Sequence, residues 1–202
     1  MNLIERATVI HYHRWRIETY GEQTVEALGW MGPDSQRKRF EALSGLGDFS
    51  NCTVLDVGCG YGDLRAYLDE HCRGTVLIGI DQMPEFINVA QATYSDRADT
   101  SFYQCDFATA NFPKVDFVVA SGALSYRCSE PEFYTGMIRK MFGAASRGVA
   151  FNMLDVARFP EHPLLVGHDR EKILDFCRTL SPRVEIVEGY LDEDFTVLLY
   201  PH

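Results

Sequence analysis

VLDVGCGYGDL, residues 54–64, is the stretch of sequence that decides the fold. An apolar, β-branched run leads into glycines on alternate positions, Gly58, Gly60 and Gly62, and a helix-compatible segment follows at residues 64–70. Glycine suits such a turn because a side chain would block both a left-handed backbone and the close approach of a ligand. The stretch therefore predicts a strand, a tight turn and a helix start, where α/β folds hold nucleotide-like ligands.

The spacing of these glycines separates one class of ligand from another. Dinucleotide sites usually carry G-x-G-x-x-G, whereas the glycines here alternate and Asp56 stands just ahead of them. In this form the turn resembles motif I of the class I S-adenosylmethionine-dependent methyltransferases. The resemblance extends over about residues 52–202 and leaves the residues before them unmatched.

Two later strand ends carry acids where this family binds the adenosine of its cofactor. Residues 75–81 predict a buried strand that ends in Asp81, and an acid about twenty residues after the glycines can accept both ribose hydroxyls. Residues 100–105 predict another strand, followed by Asp106 and Phe107. In the family, the acid at this place meets the adenine amino group and the next residue lies near the ring.

A further predicted strand, residues 115–120, opens into Ser121 and Gly122, which the resemblance places near the sulfur. The resemblance thus implies S-adenosylmethionine as cofactor and S-adenosylhomocysteine as product. The implied cofactor-binding residues are Asp56, Gly58, Cys59, Gly60, Gly62, Asp81, Gln82, Met83, Asp106, Phe107, Ser121 and Gly122. Structural alternatives stay open: Asp81 could cap a helix, Asp106 could form a turn and Phe107 could belong to the core.

The fold expected from these matches is an α/β, Rossmann-like methyltransferase fold. Its sheet has seven mostly parallel strands with an antiparallel strand at the C-terminus, and helices cover both faces. Residues 1–50 are expected to form an N-terminal helical lid, and residues 51–202 the domain that binds S-adenosylmethionine, in one compact unit. The size and apolar content of the chain, 202 residues and 46%, suffice for one such core.

Helix signals are present outside the matched motifs. In the N-terminal segment they predict a short helix over residues 21–28, stopped by Gly29, and a second helix from Asp34 or Ser35 as N-cap to about residue 46. Further along, Ser129 is the expected cap of a helix over 131–145 and Asp169 the expected start of a helix ending near residue 180. Residues 155–167 are expected to form a loop, and 184–187 and 196–200 the last strands.

Composition narrows the class of partner and the compartment. A net charge of −10 weighs against binding to a nucleic-acid backbone as the main task. The N-terminus lacks the apolar stretch of a signal peptide, and no run approaches the length of a membrane span. Six cysteines without a C-x-x-C pair are typical of a reducing cytoplasm. We therefore expect a cytoplasmic protein, a monomer or homodimer, with a small-molecule partner and neither nucleic acid nor membrane.

The acceptor half of the site carries no catalytic signature. The fourth strand lacks the N/D-P-P-Y/F ending of amino-methylating nucleic-acid enzymes, and Asp155 has no acidic partner at residues 121–127, which disfavours a metal site. His162 and His168 are candidate general bases because imidazole titrates near neutral pH, although solvent-exposed loop histidines are the commoner case. Tyr126 is a candidate for pocket lining. The aromatics Tyr12, Tyr20 and Trp30 are expected to pack the lid or to contact a ligand.

The predicted activity is methyl transfer from S-adenosylmethionine to a small molecule. Transfer is an in-line displacement, so holding the nucleophile, methyl and sulfur in line can supply much of the acceleration and a dedicated base is optional. Three alternatives stay open: an NAD-dependent oxidoreductase, a non-catalytic module that binds S-adenosylmethionine, and a protein methyltransferase.

Overall fold

A mostly parallel sheet forms the centre of the protein in this computed structural model, which describes residues 1–201. Its strands are β1 (Thr53–Val57), β2 (Val76–Asp81), β3 (Thr100–Gln104), β4 (Val115–Ala120), β5 (Ala145–Asp155), β6 (Gly167–His168), β7 (Arg183–Val187) and β8 (Asp194–Tyr200). Seven of them lie in the order β3-β2-β1-β4-β5-β8-β7. Only β8 runs antiparallel to its neighbours β5 and β7 within this described sheet. The predicted fold class, including the antiparallel C-terminal strand, is confirmed.

The two-residue strand β6 was not expected. It pairs with the end of β5 through Leu154 opposite Gly167 and Asp155 opposite His168. The chain between them, predicted as a loop, therefore returns to the carboxyl end of the central strand β5. This return brings residues 159–165 over the carboxyl end of β5, beside the cavity described below.

Six α-helices complete the fold of residues 1–201. They are α1 (Leu3–Tyr20), α2 (Pro33–Ser44), α3 (Asp63–His71), α4 (Pro84–Thr93), α5 (Phe133–Ala144) and α6 (Arg170–Leu180). Buried side chains of α2, α3 and α4 pack on one side of the sheet, and those of α5 and α6 on the other, so helices cover both faces as predicted. None of the helices within residues 1–201 is both long and apolar enough to cross a membrane.

The predicted helix over residues 21–28 is wrong, because the helix lies before it. A capping box starts α1: Asn2 Oδ1 accepts from the amide of Glu5 at 3.0 Å, and Glu5 Oε2 accepts from the amide of Asn2 at 2.9 Å. The helix then runs to Tyr20, where Gly21 ends it at φ 89°. Residues 22–29 form turns instead.

Two of the expected helix starts also differ. Gly32 is the N-cap of α2, and Pro33 occupies its first position. Ser129 does not cap α5, since its amide donates to Glu5 and its hydroxyl accepts from Asn2 at the start of α1. Glu132 precedes α5 instead. The Asp169 start is confirmed, with the carboxylate accepting from the amide of Lys172 at 3.2 Å.

Candidate active site

A cavity of about 610 Å³ lies at the carboxyl ends of the parallel strands. Its volume falls within the roughly 300–1,000 Å³ that small-molecule and cofactor sites occupy. Of the predicted cofactor-binding residues, the following line it: Asp56, Gly58, Cys59, Gly60, Asp81, Gln82, Met83, Phe107, Ser121 and Gly122. Gly62 and Asp106 are not among the lining residues. The strand-end motifs therefore converge on one space.

The glycine turn forms the floor of this cavity. The amides of Gly58 and Cys59 both donate to the carbonyl of Ile80, at 2.8 and 3.1 Å, which ties the turn to the end of β2. Gly58 has φ 78°, and a Cβ there would lie 2.7 Å from the Cβ of Ala123. A side chain is therefore excluded by both backbone conformation and space.

The carboxylate of Asp81 is held by the backbone on both sides. Its Oδ2 accepts from the amide of Gly60 at 3.0 Å, and its Oδ1 accepts from the amide of Met83 at 2.9 Å. A carboxylate has about four acceptor positions, so two remain for a ligand. Burial raises the pKa of Asp81, while these amide hydrogen bonds oppose the shift. The group is thus oriented and only partly saturated.

Asp56 is buried in the same cavity without such support. Among residues 1–201, no group donates a hydrogen bond to its carboxylate. Burial, followed by the charges of Asp81 and Asp63, raises the pKa of Asp56 to about 8. A cationic group in the cavity would lower this cost, because an opposite charge favours the ionised form.

Asp106 turns away from the cavity. Its Oδ2 pairs with Arg6 of α1 at 2.9 Å, and its Oδ1 accepts from the amide of Ala108 at 3.0 Å. Its carbonyl accepts from the amides of Thr109 and Ala110, so Asp106 forms the turn that the alternative interpretation predicts. Phe107, the next residue, lines the cavity.

The two candidate histidines lie in different environments. His162 lines the cavity, but its Nδ1 accepts from the amides of Leu164 and Leu165 at 3.2 and 3.0 Å. Since amides only donate, Nδ1 holds the lone pair and is already engaged. His168 is buried outside the lining, where its Nε2 meets the carbonyl of Leu124 at 3.0 Å, and burial lowers its pKa.

Tyr126 lines the cavity and is paired with a histidine that the sequence analysis did not single out. Its hydroxyl lies 2.6 Å from Nε2 of His13, a buried residue of α1. The other ring nitrogen, Nδ1, lies 3.1 Å from the carbonyl of Ala27. Burial lowers the pKa of His13 to about 4 and raises that of Tyr126. His13 could have been found as the position four residues after Val9 on the buried face of α1.

The N-terminal segment supplies another wall of the cavity. Tyr12 and Trp30 line it, whereas Tyr20 is exposed and does not. Trp30 lies over the guanidinium of Arg39 at 4.4 Å, and Arg39 forms a two-point ion pair with Asp194 at 2.6 and 2.7 Å. This buried pair fixes the aromatic wall to β8. The described residues contain no group of three or more His, Cys, Asp or Glu side chains placed to hold a metal ion.

Comparison with known proteins places this site in a family. A family model described as a methyltransferase domain matches residues 54–148. The Mycobacterium tuberculosis protein Rv1506c, whose name assigns it to the methyltransferases, is 31% identical over 160 residues, which is 73% of this chain and 92% of that protein. The magnesium-protoporphyrin O-methyltransferase of Rhodobacter capsulatus is 29% identical over 114 residues, 55% of this chain and 50% of that protein.

Solved structures agree with the fold. The magnesium protoporphyrin IX methyltransferase of Synechocystis, with bound S-adenosylhomocysteine, superposes with a TM-score of 0.72 at 17% identity, covering 98% of this chain and all of that chain. The N-methyltransferase NodS of Bradyrhizobium japonicum, also with S-adenosylhomocysteine, gives 0.65 at 17% identity, covering 92% of this chain and 90% of that chain.

The chain belongs to the class I S-adenosylmethionine-dependent methyltransferases. It is an enzyme of this family, and its cofactor is S-adenosylmethionine. The alternative of an NAD-dependent oxidoreductase is thereby excluded.

Proposed function

We propose that this enzyme transfers a methyl group from S-adenosylmethionine to a small-molecule acceptor bound in the 610 Å³ cavity. The observation that carries the proposal is the composition of the cavity wall. The strand ends supply the predicted cofactor residues, while Trp30, Phe159 and Leu165 supply an apolar wall from two other segments. One cavity therefore offers both a polar cofactor half and an apolar acceptor half.

The cofactor half suits the groups of S-adenosylmethionine. Asp81, with two acceptor positions left, is proposed for the ribose hydroxyls, and the uncompensated carboxylate of Asp56 for the ammonium group. Met83 and Phe107 are proposed beside the adenine, and the backbone of Gly58 and Gly60 beside the amino-acid portion, with Cys59 and Gln82 adjacent. Ser121 and Gly122 are proposed beside the sulfur. When bound, the cofactor supplies a methyl group made electrophilic by the sulfonium.

One relative supports a small-molecule acceptor over a macromolecule, because it is named for magnesium-protoporphyrin. The protein-methyltransferase alternative would need a basic peptide to reach the acidic side chains of Asp192 and Glu193, which line the cavity. Asp194 beside them is already neutralised by Arg39. We propose the reducing cytoplasm as the compartment because all six cysteines are free.

Calorimetric titration with S-adenosylmethionine, S-adenosylhomocysteine and NAD tests the cofactor site first. We expect binding of the first two alone. A transfer assay with tritium-labelled S-adenosylmethionine then compares a panel of small molecules with a basic peptide panel. Label on a small molecule supports the proposal, label on a peptide alone overturns it, and cofactor binding without transfer to either panel indicates the non-catalytic module.

A further inference from the structure

The pair formed by Tyr126 and His13 places a proton acceptor at the wall of the cavity. The Tyr126 hydroxyl and His13 Nε2 are 2.6 Å apart, and both residues line the cavity that holds Asp81. The backbone of Tyr126 is fixed as well, since its carbonyl accepts from the hydroxyl of Tyr134 at 2.8 Å. The position of the hydroxyl is therefore determined by the fold.

The hydrogen bond of His13 to Ala27 determines which member of the Tyr126–His13 pair donates the hydrogen. A backbone carbonyl has no hydrogen to donate, so the 3.1 Å contact requires that His13 Nδ1 carries the proton. In the neutral imidazole the other nitrogen, Nε2, is then an acceptor. It follows that the Tyr126 hydroxyl donates its hydrogen to His13 and turns its oxygen lone pairs outward.

This orientation selects among acceptor chemistries. An oxygen that has given its hydrogen to His13 can accept a hydrogen bond from a ligand but cannot donate one. A carboxylate acceptor would need a donor at this position, whereas a hydroxyl compound would supply its own hydrogen. The groups around the pair are the rings of Tyr12 and Phe86, the carboxylate of Asp81 and the guanidinium of Arg16.

We propose that the methyl acceptor is an alcohol or a phenol whose O–H donates to the oxygen of Tyr126, and that the Tyr126–His13 pair takes up its proton. This inference rests on the proposed function, methyl transfer in the same cavity. It assigns Tyr126 as the group that touches the acceptor and His13 as a positioning residue that acts through Tyr126.

Methyl transfer and proton transfer meet at the acceptor oxygen. The acceptor oxygen forms a bond to the methyl carbon while the methyl–sulfur bond breaks, and the bonding pair stays on sulfur. The acceptor proton passes to the oxygen of Tyr126 as the Tyr126 proton passes to His13 Nε2, which leaves an imidazolium. An acceptor oxygen that gained the methyl group while keeping its proton would be an oxonium, a far stronger acid than an imidazolium, so the proton transfer is favourable even with the pKa of His13 at about 4. The same low pKa lets the imidazolium lose its proton to solvent between turnovers.

The protonation of His13 is measured first, because this measurement needs no acceptor. In the full chain labelled with ¹⁵N-histidine, the imidazole signals at pH 7 are assigned with a His13→Gln variant. We expect His13 to be neutral with its proton on Nδ1, and Tyr126→Phe to shift the signal of Nε2. A proton on Nε2 would overturn the proposal, because Tyr126 would then present its own hydrogen to the cavity.

A matched panel tests the acceptor class. Phenols and benzylic alcohols are compared with amines and carboxylic acids of the same ring, with S-adenosylhomocysteine formation as the readout. Transfer to the hydroxyl members supports the proposal; transfer confined to amines or carboxylates overturns it. If the panel yields no product, the tautomer of His13 decides the proposal: a proton on Nδ1 supports it and a proton on Nε2 overturns it. If the wild-type protein does not bind S-adenosylmethionine, the proposed function is refuted. The measured tautomer of His13 is unaffected by that result, so the two failures can be told apart.

Kinetic measurements on variants, with a hydroxyl compound that the enzyme methylates as acceptor, separate a chemical role from a structural one. Tyr126→Phe should lower kcat about 100-fold, since general acid–base assistance is worth at least this much, and should raise KM far less, through the one lost hydrogen bond to the acceptor. His13→Gln, which keeps a polar partner for the tyrosine, should retain more activity than His13→Ala. Tyr103→Phe, an exposed tyrosine on β3, is the control. Equal losses for both His13 variants, confined to KM, would show a merely structural role.

Discussion

At Asp81, two backbone amides orient a carboxylate whose remaining acceptor positions are proposed for the ribose. Asp81→Ala should weaken S-adenosylmethionine binding by about 100-fold, because hydrogen bonds to a charged group contribute roughly 1.5–3 kcal/mol each. Calorimetric titration measures the loss, and circular dichroism checks that the fold persists. Asp96→Ala, at an exposed acid beyond α4, is the control. Near-normal affinity of the Asp81 variant would remove the ribose assignment.

Asp56 makes the stability of the free enzyme depend on pH. Its pKa is raised in the folded protein, from 3.8 to about 8, so the folded state keeps a proton that the unfolded chain loses in this range. The unfolding free energy should therefore fall as pH rises from about 4 to 8. Burial raises the pKa values of Asp81 and Asp63 as well, so a variant at Asp56 is needed to isolate the contribution of Asp56 to this pH dependence.

Asp56→Asn should flatten this slope. At pH 8 we expect its Tm to exceed that of the wild type by about 2–4 °C, the shift that roughly 1 kcal/mol produces in a chain of this size. At pH 4.5 the difference should shrink. Thermal unfolding followed at both pH values measures it, and parallel curves for the two proteins would show that Asp56 is not the source.

Among the elements, the loop after β4 is positioned against the N-terminal segment through Gly122. This glycine has φ 71°, and a Cβ there would overlap Cη2 of Trp30. Gly122→Ala should therefore displace Trp30 and cost about 1–2 kcal/mol, the penalty of a left-handed conformation for an ordinary residue. Tryptophan fluorescence and thermal unfolding report both effects.

The control for this substitution lies in α5. Gly136 is helical, and a Cβ there meets nothing within 4 Å. Gly136→Ala should stabilise the protein by up to about 1 kcal/mol through helix propensity. If both alanine variants behaved alike, the contact between Gly122 and Trp30 would have no energetic importance.

The elements also differ in how far the sequence predicts them. Residues 115–120 are apolar apart from Asp116, and β4 has these same bounds. The N-terminal segment instead mixes aromatic and charged residues, and α1 buries only Val9 and His13. Its start depends on a capping box at Asn2 and Glu5 that the aromatic pattern obscures. Elements with a strong apolar pattern were thus predictable, and those held by polar contacts were not.

For the whole molecule, cofactor binding and folding are linked. A ligand that binds only the folded state at 100 times its Kd adds about 2.7 kcal/mol to the unfolding free energy. In a chain of this length S-adenosylmethionine at that concentration should raise Tm by about 5–10 °C. Thermal unfolding with S-adenosylmethionine and with NAD compares the two, and an equal shift by NAD would contradict the selectivity assigned to the cavity.

At this scale the sequence predicted the cofactor half of the site better than the acceptor half. Asp56, Gly58 and Asp81 lie at the carboxyl ends of β1 and β2, which are neighbours in the sheet order of the family, so their convergence could be expected. His13 and Tyr126 are separated by 113 residues and meet only because α1 packs across the strand ends. No local pattern encodes such a contact.

The attachment of α1 has a consequence for the timing of turnover. Arg6 and Arg14 tie this helix to Asp106 and Glu85 through ion pairs that are partly exposed, and its apolar contact with the rest of the molecule is small. Exposed ion pairs contribute little to stability, so α1 can separate while the sheet stays folded. We therefore expect the spent cofactor to leave through brief detachment of α1, at a rate that rises with ionic strength because salt screens these ion pairs.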